Sequence, residues 1–247
     1  MVSVITCTIR DSCMEEVFLN FDRQQDVEKE LIIILNKDSM DAEKWKKRAV
    51  DTATNISIYQ LPSNTTLGEC LNFGVEKAKF SHIAKFDDDD YYSPYYLLDS
   101  LQSLRNSQAS VVGKTSIFMY FKDQSLLTEF NPNKFGGAIA KNEETYNNHL
   151  LMGGTLVFKK EVFNTVKFSS TNIAEDAAFC KSCIQNGIPL YSATKDNYVY
   201  LRSYEPDSHT WRIKNDTILK FCREIAKTDD FRPYITKKPI SDENQDG

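Results

Sequence analysis

The chain has 247 residues, 41% of them hydrophobic, and 35 acidic against 30 basic side chains give a formal net charge of -5. This size allows a large core in one domain or in a domain with a small annex. The negative charge argues against a general attraction to nucleic acid or to anionic membranes. The sequence shows no apolar run near the ~20 residues of a membrane span and no basic region of a signal peptide. We therefore expect a cytoplasmic protein.

The first half of the chain alternates strand and helix patterns. Strands are predicted at residues 2–8, 30–35, 56–61 and 82–86. Capping-box pairs, Ser12 with Glu15 and Thr66 with Glu69, predict the starts of two of the intervening helices. Such alternation is typical of right-handed βαβ units and a parallel sheet. We therefore predict an α/β fold whose mostly parallel sheet carries helices on both faces.

The second half has a different pattern and predicts a smaller additional region. Short strands are predicted at residues 110–114, 116–121, 155–158, 190–193 and 198–201. One helix is predicted to begin near Glu175 and to end before Gly187, and a last helix to cover residues 216–226. Residues 122–150 form a long polar connection, a type that is more often functional than incidental. Residues 236–247 are polar and predict a disordered tail or linker.

Four consecutive acids, Asp87–Asp90, follow the predicted strand 82–86 directly. Ser93 and Pro94 then predict an N-cap and first helical position. Two like charges about 4 Å apart repel by about 1 kcal/mol in water and about 4 kcal/mol at a protein-like dielectric. A divalent cation such as Mg²⁺ or Mn²⁺ would relieve this repulsion, and alternation along an extended segment would let one alternate pair share it. The alternative is a solvated acidic loop.

Further polar groups are predicted to lie at the same edge of the sheet, where open α/β sheets bind ligands. Thr6, Thr8 and Arg10 end the first strand, and Asn36, Lys37 and Asp38 follow the second. These residues suit a nucleotide site or are ordinary polar loop ends. Two later motifs are equally open. The pair Gly153–Gly154 permits either close approach of a ligand or a tight bend, and the pair Glu175–Asp176 is either functional or a partner of the helix dipole.

Taken together, the ordered motifs resemble family 2 glycosyltransferases, which have the GT-A fold. The resemblance rests on the strand–helix alternation, the segment 68–74 (Gly-Glu-Cys-Leu-Asn-Phe-Gly), Phe86 with Asp87–Asp90, Gly153–Gly154 and Glu175–Asp176. It covers residues 2–226. Within the family, the chain resembles enzymes of the bacterial envelope or the spore surface. The resemblance implies one domain over residues 1–235, with a nucleotide-sugar half at about 1–114 and an acceptor half at about 115–235.

The resemblance also implies roles for individual residues. The donor nucleotide site would comprise Thr6, Thr8, Arg10, Asn36, Asp38, Asn72, Asp87 and Asp88. Asp89 and His209 would hold the metal, Mn²⁺ or Mg²⁺. Asp176 would be the general base, with Glu175 beside it. Gly153, Gly154, Arg202 and Trp211 would border the acceptor or the donor sugar.

The function implied is inverting, metal-dependent transfer of a sugar from a nucleotide-diphosphate donor, most readily a UDP-sugar, to a hydroxyl of a carbohydrate or glycosylated protein. Asn36 and Lys37 stand where the family often has two acids, which leaves thymine or guanine donors open. Three alternatives remain. They are a non-catalytic module that binds sugar nucleotides or polysaccharides, a sugar-phosphate nucleotidyltransferase, which would release pyrophosphate, and a calcium-binding structural protein, although the EF-hand spacing is missing.

Overall fold

The computed structural model of the chain describes residues 1–51, 55–131, 143–147, 150–203 and 213–239. The strands are β1 (Val2–Thr8), β2 (Lys29–Leu35), β3 (Ile56–Gln60), β4 (His82–Lys85), β5 (Tyr91–Tyr92), β6 (Val111–Gly113), β7 (Ile117–Phe121), β8 (Leu126–Phe130), β9 (Thr145–Asn147), β10 (Val157–Lys159), β11 (Leu190–Ser192), β12 (Tyr198–Arg202) and β13 (Cys222–Lys227). The helices are α1 (Met14–Asp22), α2 (Ala42–Val50), α3 (Leu67–Lys77), α4 (Tyr96–Ser107), α5 (Glu175–Gln185), α6 (Asn215–Leu219) and α7 (Arg232–Ile235).

A mostly parallel sheet organises the molecule, as the sequence predicts. Its strand order is β3-β2-β1-β4-β10-β6-β11-β9. The pairs β1–β2, β2–β3 and β1–β4 are parallel, whereas β10 is antiparallel to both of its neighbours. Because the first four strands run the same way, the loops after β1, β2 and β4 emerge at one edge. That edge carries the acidic run.

Helices cover both faces of this sheet. Val2 and Val4 of β1 pack into one core cluster, which includes Phe18 of α1 and Trp45 of α2. Ile5 packs on the opposite side, in a second cluster that includes α3 and α5. Strand β2 is buried on both faces, and this explains its continuous Ile and Leu sequence. The predicted α/β class with two covered faces is confirmed.

A smaller second sheet lies beside the first, with the order β13-β8-β7-β12-β5. Strand β8 lies in the stretch 122–150, for which the sequence predicts only a polar connection. The chain then packs Ile235 into a third core cluster. The backbone N–H of Lys237 donates to Asn197 Oδ1 at 2.9 Å, so the chain is held to the fold past residue 235. The rest of the predicted tail, residues 240–247, lies outside the described residues.

The predicted helix starts are correct only in part. Thr66 and Glu69 form the predicted capping box at α3. Ser12 does not cap α1, because Asp11–Cys13 forms a 3-10 turn first and Glu15 pairs instead with Arg48 at 3.1 Å.

Two further helix predictions need correction. Helix α4 begins at Tyr96, later than the predicted cap at Ser93, whose hydroxyl donates to Asn197 at 2.6 Å. The predicted last helix, 216–226, is wrong beyond Leu219, because residues 222–227 pair with β8 as a strand. No helix among the described residues is long and apolar enough to cross a membrane.

Candidate active site

The acidic run forms a turn at the carboxyl end of β4. Asp88 and Asp90 are buried, while Asp87 and Asp89 are partly exposed. The predicted alternation in exposure is therefore present. The predicted extended conformation is wrong, because Asp88 and Asp89 lie in the turn itself. Each carboxylate consequently has its own surroundings, and the four cannot be treated as one equivalent set.

One end of the turn is held by Arg10, from the loop after β1. The Arg10 guanidinium contacts Asp88 through Nε at 3.2 Å and Asp89 Oδ2 through Nη2 at 3.0 Å. The Thr8 hydroxyl donates to Asp88 and accepts from the backbone N–H of Arg10 at 3.0 Å. Burial and the charge of Asp89 raise the pKa of Asp88, and Arg10 opposes both effects. Thr8, Arg10 and Asp88 therefore form one connected group.

The other end is held by Lys85, the last residue of β4. Its ammonium forms an ion pair with Asp87, and the lysine is only 5% exposed. Burial lowers the pKa of Lys85, but the carboxylates of Asp87, Glu175 and Asp176 outweigh this effect and raise the pKa above its ordinary value. Burial raises the pKa of Glu175, and Lys85 opposes that shift. The acidic turn and the start of α5 thus share one buried cation.

The pair Gly153–Gly154 lies between these two acidic groups. A methyl group on Gly153 would lie 2.1 Å from Asp176 Oδ2. A methyl group on Gly154 would lie 2.8 Å from Asp87 Oδ2 and 3.1 Å from Asp90 Oδ2. A Cβ at either position would displace a carboxylate. The glycines are therefore what allows Asp87 and Asp176 to approach the same short stretch of backbone.

Asp90 is buried and bound by hydrogen bonds from other parts of the protein. It is fully buried, and its carboxylate accepts hydrogen bonds from the Tyr198 hydroxyl and from the Leu201 backbone N–H at 3.2 Å. Its backbone carbonyl accepts from Asn20 Nδ2 at 2.8 Å. Burial, followed by the nearby acids, raises the pKa of Asp90. This residue anchors the turn to β12 and α1.

A second tyrosine fixes the turn against the glycine pair. The Tyr92 hydroxyl accepts from the backbone N–H of Asp87 at 2.8 Å and donates to the Gly154 carbonyl at 2.7 Å. Its ring stacks on Phe86, with centroids 3.7 Å apart. One buried side chain therefore sets the spacing between the acidic turn and the glycines.

The residues predicted near the base lie beside this cluster. The Asn36 backbone N–H donates to the Thr8 carbonyl at 2.8 Å, and its Nδ2 donates to Pro62 O at 2.9 Å. Asp38 is exposed and exchanges hydrogen bonds with Ser63, in the loop after β3. Thr6 is buried within β1. The structure thus places Asn36 next to the Thr8–Arg10–Asp88 group and Thr6 inside the sheet.

Two predicted site residues have structural partners. Both amide atoms of Asn72 bond the backbone of Phe168, at 2.9 Å each, in the segment that leads to α5. Arg202 is buried, and it donates to Asn215 Oδ1 at 2.9 Å and to Ile213 O at 2.6 Å. These contacts hold both side chains against neighbouring segments, and their roles toward ligands stay predictions. His209 and Trp211 lie outside the described residues.

The acidic side chains of the turn can bind a divalent cation only if a bound diphosphate supplies the remaining ligands of the cation. Within the described residues, no group of three His, Cys, Asp or Glu side chains is placed to hold a metal ion. Asp90 and Asp88 are occupied by hydrogen-bond donors, and Asp87 pairs with Lys85. Asp89 keeps a quarter of its side chain exposed on the turn. One carboxylate with diphosphate oxygens and water is a donor set that Mg²⁺ or Mn²⁺ accepts.

Sequence reasoning misses Lys85, Tyr92 and Tyr198. A lysine within an apolar strand pattern, two residues before the acids, is a weak signal that was available for Lys85. The tyrosines have no local signal for the contacts that join distant segments: Tyr198 contacts Asp90 across 108 positions, and Tyr92 contacts Gly154 across 62.

Comparisons with known proteins give a family match and several similar folds. Residues 3–167 match Glycosyl transferase family 2. No curated protein sequence gives a significant match. Among solved structures, S. aureus TarS 1–349 in complex with UDP-GlcNAc is similar at a TM-score of 0.60 and 18% identity, over 81% of this chain and 58% of that one. Mannosyltransferase PcManGT from Pyrobaculum calidifontis, in complex with GDP-Man and Mn²⁺, is similar at a TM-score of 0.62 and 17% identity, over 89% of this chain and 62% of that one.

At these identities the likeness concerns the fold. The chain spans about three fifths of the length of these two relatives.

Proposed function

Since the chain belongs to glycosyl transferase family 2, we propose that it transfers a sugar from a nucleotide-diphosphate donor to a hydroxyl acceptor, with inversion. The supporting observation is the convergence of two acidic groups on Gly153–Gly154. Asp87 approaches the pair from the end of β4, and Asp176 approaches it from the start of α5. A donor held at the acidic turn would therefore have the Asp176 carboxylate on the neighbouring segment, where its Oδ1 accepts from the Ala177 backbone N–H at 2.7 Å.

The reaction assigned to this site is a single displacement. The acceptor oxygen attacks the anomeric carbon, the bond from that carbon to the diphosphate oxygen breaks, and the nucleoside diphosphate leaves. Asp176 takes the acceptor proton, and Glu175 lies beside it. Arg10, which pairs with Asp88 and Asp89, would lie beside the diphosphate and offset part of its charge. A divalent ion on Asp89 would stabilise the charge that develops on the leaving diphosphate.

The test is to replace Asp176 by Asn. We expect transfer to fall by about 10²–10⁴-fold, the usual contribution of a general base, with the nucleotide affinity little changed. Transfer would be measured as release of UDP or GDP from UDP-GlcNAc, UDP-glucose and GDP-mannose with Mn²⁺ present, and binding by calorimetry. Asp51→Asn is the matched control, because Asp51 is an exposed carboxylate at the C-cap of α2.

Near-normal transfer by folded Asp176→Asn would overturn the base assignment. Metal-dependent nucleotide binding without turnover on any donor–acceptor pair would favour the binding-module alternative. Pyrophosphate release from a nucleoside triphosphate would favour the nucleotidyltransferase.

We also propose the finer features that the sequence indicates. A UDP-sugar is the first donor to test, and a GDP-sugar is the second, because Asn36 replaces an acid in the loop beside Thr8. The nucleotide-sugar half would be residues 1–114 and the acceptor half residues 115–235. Resemblance to envelope and spore-surface enzymes, among them the Bacillus spore maturation protein CgeD, favours a polysaccharide or glycoconjugate acceptor and a cytoplasmic location.

A further inference from the structure

We propose that Lys85 is a positioning residue of the transfer site, which holds Asp87 in place and supplies the shared counter-charge for Glu175 and Asp176. The inference rests on the proposed function. It adds a second cation to a site in which Arg10 already pairs with Asp88 and Asp89.

The backbone fixes the position of this cation. Lys85 pairs with Ile5 of β1 in the parallel register, and its backbone N–H donates to the Leu156 carbonyl at 2.9 Å. The strand is therefore held from both sides. From this fixed point the ammonium contacts Asp87 Oδ1, while Asp87 Oδ2 faces Gly154. Both oxygens of Asp87 are thereby oriented, one by the cation and the other by the close approach to the glycine.

The same cation is needed on the Asp176 side. Gly153 is in contact with Asp176, and Gly154 with Asp87, so the two carboxylates occupy neighbouring positions along one peptide unit. Glu175 is buried beside them, with 6% of its surface exposed. Three carboxylates this close repel one another unless a positive charge lies among them. Lys85 is the lysine that the fold buries there, and its raised pKa agrees with that role.

The chain contains a matched control in Lys114. This lysine is also buried, directly after β6, but its ammonium donates to the Thr194 carbonyl at 2.6 Å and lies 3.7 Å from Asp99. Neither partner belongs to the acidic turn or to α5. Replacing Lys114 therefore removes a buried lysine without removing the cation of the site.

The experiment compares Lys85→Met with Lys114→Met in the full chain. The probes are UDP and GDP with Mn²⁺ in calorimetry, together with kcat and KM on the donor that the wild-type protein uses. For Lys85→Met we expect the nucleotide Kd to rise about tenfold, the effect of losing one charge-assisted hydrogen bond. We expect kcat to fall about a hundredfold, because Asp176 loses its position. Lys114→Met should leave both values within about twofold.

Lys85→Arg tests whether charge alone is sufficient and should recover part of kcat. If Lys85→Met does not unfold cooperatively, Lys85→Met with Glu175→Gln replaces it, since removing one carboxylate restores the local charge balance. That double variant should then bind nucleotide more weakly than Glu175→Gln alone, because Asp87 still lacks its buried partner.

Wild-type transfer together with unchanged Kd and kcat in Lys85→Met would overturn this inference alone. Equal losses in Lys85→Met and Lys114→Met would also overturn it, because they would show a general stability effect. A wild-type protein that neither binds nucleotide nor transfers sugar would overturn the proposed function as well.

Discussion

Two buried lysines stand at strand ends of the same sheet and have opposite electrostatic environments. Burial by itself would lower the pKa of both lysines, but the nearby acids make the net shifts differ. At Lys85, the neighbouring carboxylates outweigh burial and the pKa is raised. At Lys114, burial prevails over the attraction of Asp99, Asp196 and Glu143, and the pKa is lowered. Each lysine has three acids nearby, so the difference lies in distance: the Lys85 ammonium pairs directly with Asp87, whereas the Lys114 ammonium is 3.7 Å from Asp99 and has a carbonyl as its hydrogen-bond partner.

The contrast separates a site from a core. Around Lys85 the fold brings several acidic side chains together. Gly153 and Gly154 leave room for the carboxylates of Asp176 and Asp87 to approach. Around Lys114 the lysine lies over the ring of Tyr96, 5.5 Å from its centroid, and fills space beneath α4. Asp99 Oδ2 there has no hydrogen-bond partner among the described residues. We therefore expect changes near Lys85 to affect the chemistry and changes near Lys114 to leave the chemistry largely unchanged.

The largest expected difference in activity is between alanine substitutions at two glycines, one near each lysine. A Cβ on Gly153 meets the Asp176 carboxyl group, which can rotate away, and Asp176 Cβ at 2.9 Å, which cannot, so Gly153→Ala should reduce transfer about a hundredfold and also cost about 1–3 kcal/mol of unfolding free energy. A Cβ on Gly113, next to Lys114, meets Leu151 Cβ at 2.9 Å. Gly113→Ala should therefore cost about 1–3 kcal/mol of unfolding free energy through overpacking, with kcat largely kept.

Activity assays and urea unfolding on both variants decide this comparison. The expected result is a loss of stability in both variants and a loss of activity in Gly153→Ala alone. If Gly153→Ala transferred sugar normally, the contact between Gly153 and Asp176 would have no bearing on catalysis.

The second-largest expected effect is a difference in stability between Lys85→Met and Lys114→Met. Lys85→Met leaves Asp87 and Glu175 without their buried partner, so we expect a loss of about 3 kcal/mol. Lys114→Met removes a lysine whose burial already opposes its charge, so we expect a loss of about 1 kcal/mol or less, since an apolar replacement recovers the desolvation cost. Urea unfolding at neutral pH measures both. A larger loss for Lys114→Met would reverse the electrostatic comparison.

The pH dependence should have a characteristic sign for each lysine. The folded-state pKa of Lys114 lies below its ordinary value of 10.5, so the unfolded chain binds more protons as pH rises toward 10.5. The stability of the wild-type protein relative to Lys114→Met should therefore increase over that range. The folded-state pKa of Lys85 is raised, so its contribution is fully present below 10.5 and is lost only as pH rises above it.

Unfolding measured from pH 7 to 10 for the wild-type protein and both variants checks these signs. The difference from Lys85→Met should stay constant over this range. A difference from Lys114→Met that shrinks as pH rises would contradict the lowered pKa.

The sequence predicts those parts of the molecule whose information is local. The β1–β4 strands follow from apolar runs, and α3 follows from the Thr66–Glu69 box. Strand β13 is missed because its pairing partner, β8, lies about ninety residues earlier and overrides the helical pattern of residues 216–226.

The same limit applies to the site. The acids at the end of β4 can be placed from the topology alone, because parallel strands end at one edge. The position of Lys85 near Glu175 and Asp176, and the bonds of Asn72 to Phe168, 96 positions away, join distant segments that no local pattern encodes. The role of Lys85 is therefore missed, and the predicted ligand roles of Asn72 and Arg202 stay predictions.

The smallest expected effect concerns the approach to Glu175. Ala174, at the N-cap of α5, has φ of 60°, in the left-handed region where a Cβ costs about 1 kcal/mol. Ala174→Gly removes that strain but adds freedom to the unfolded chain, so we expect a net gain of about 0.5 kcal/mol. If the strain only sets the direction in which the chain enters α5, kcat should change less than twofold. A large loss of kcat with a gain in stability would show instead that the left-handed residue holds Glu175 and Asp176 in position, and would extend the site by one residue toward the loop before α5.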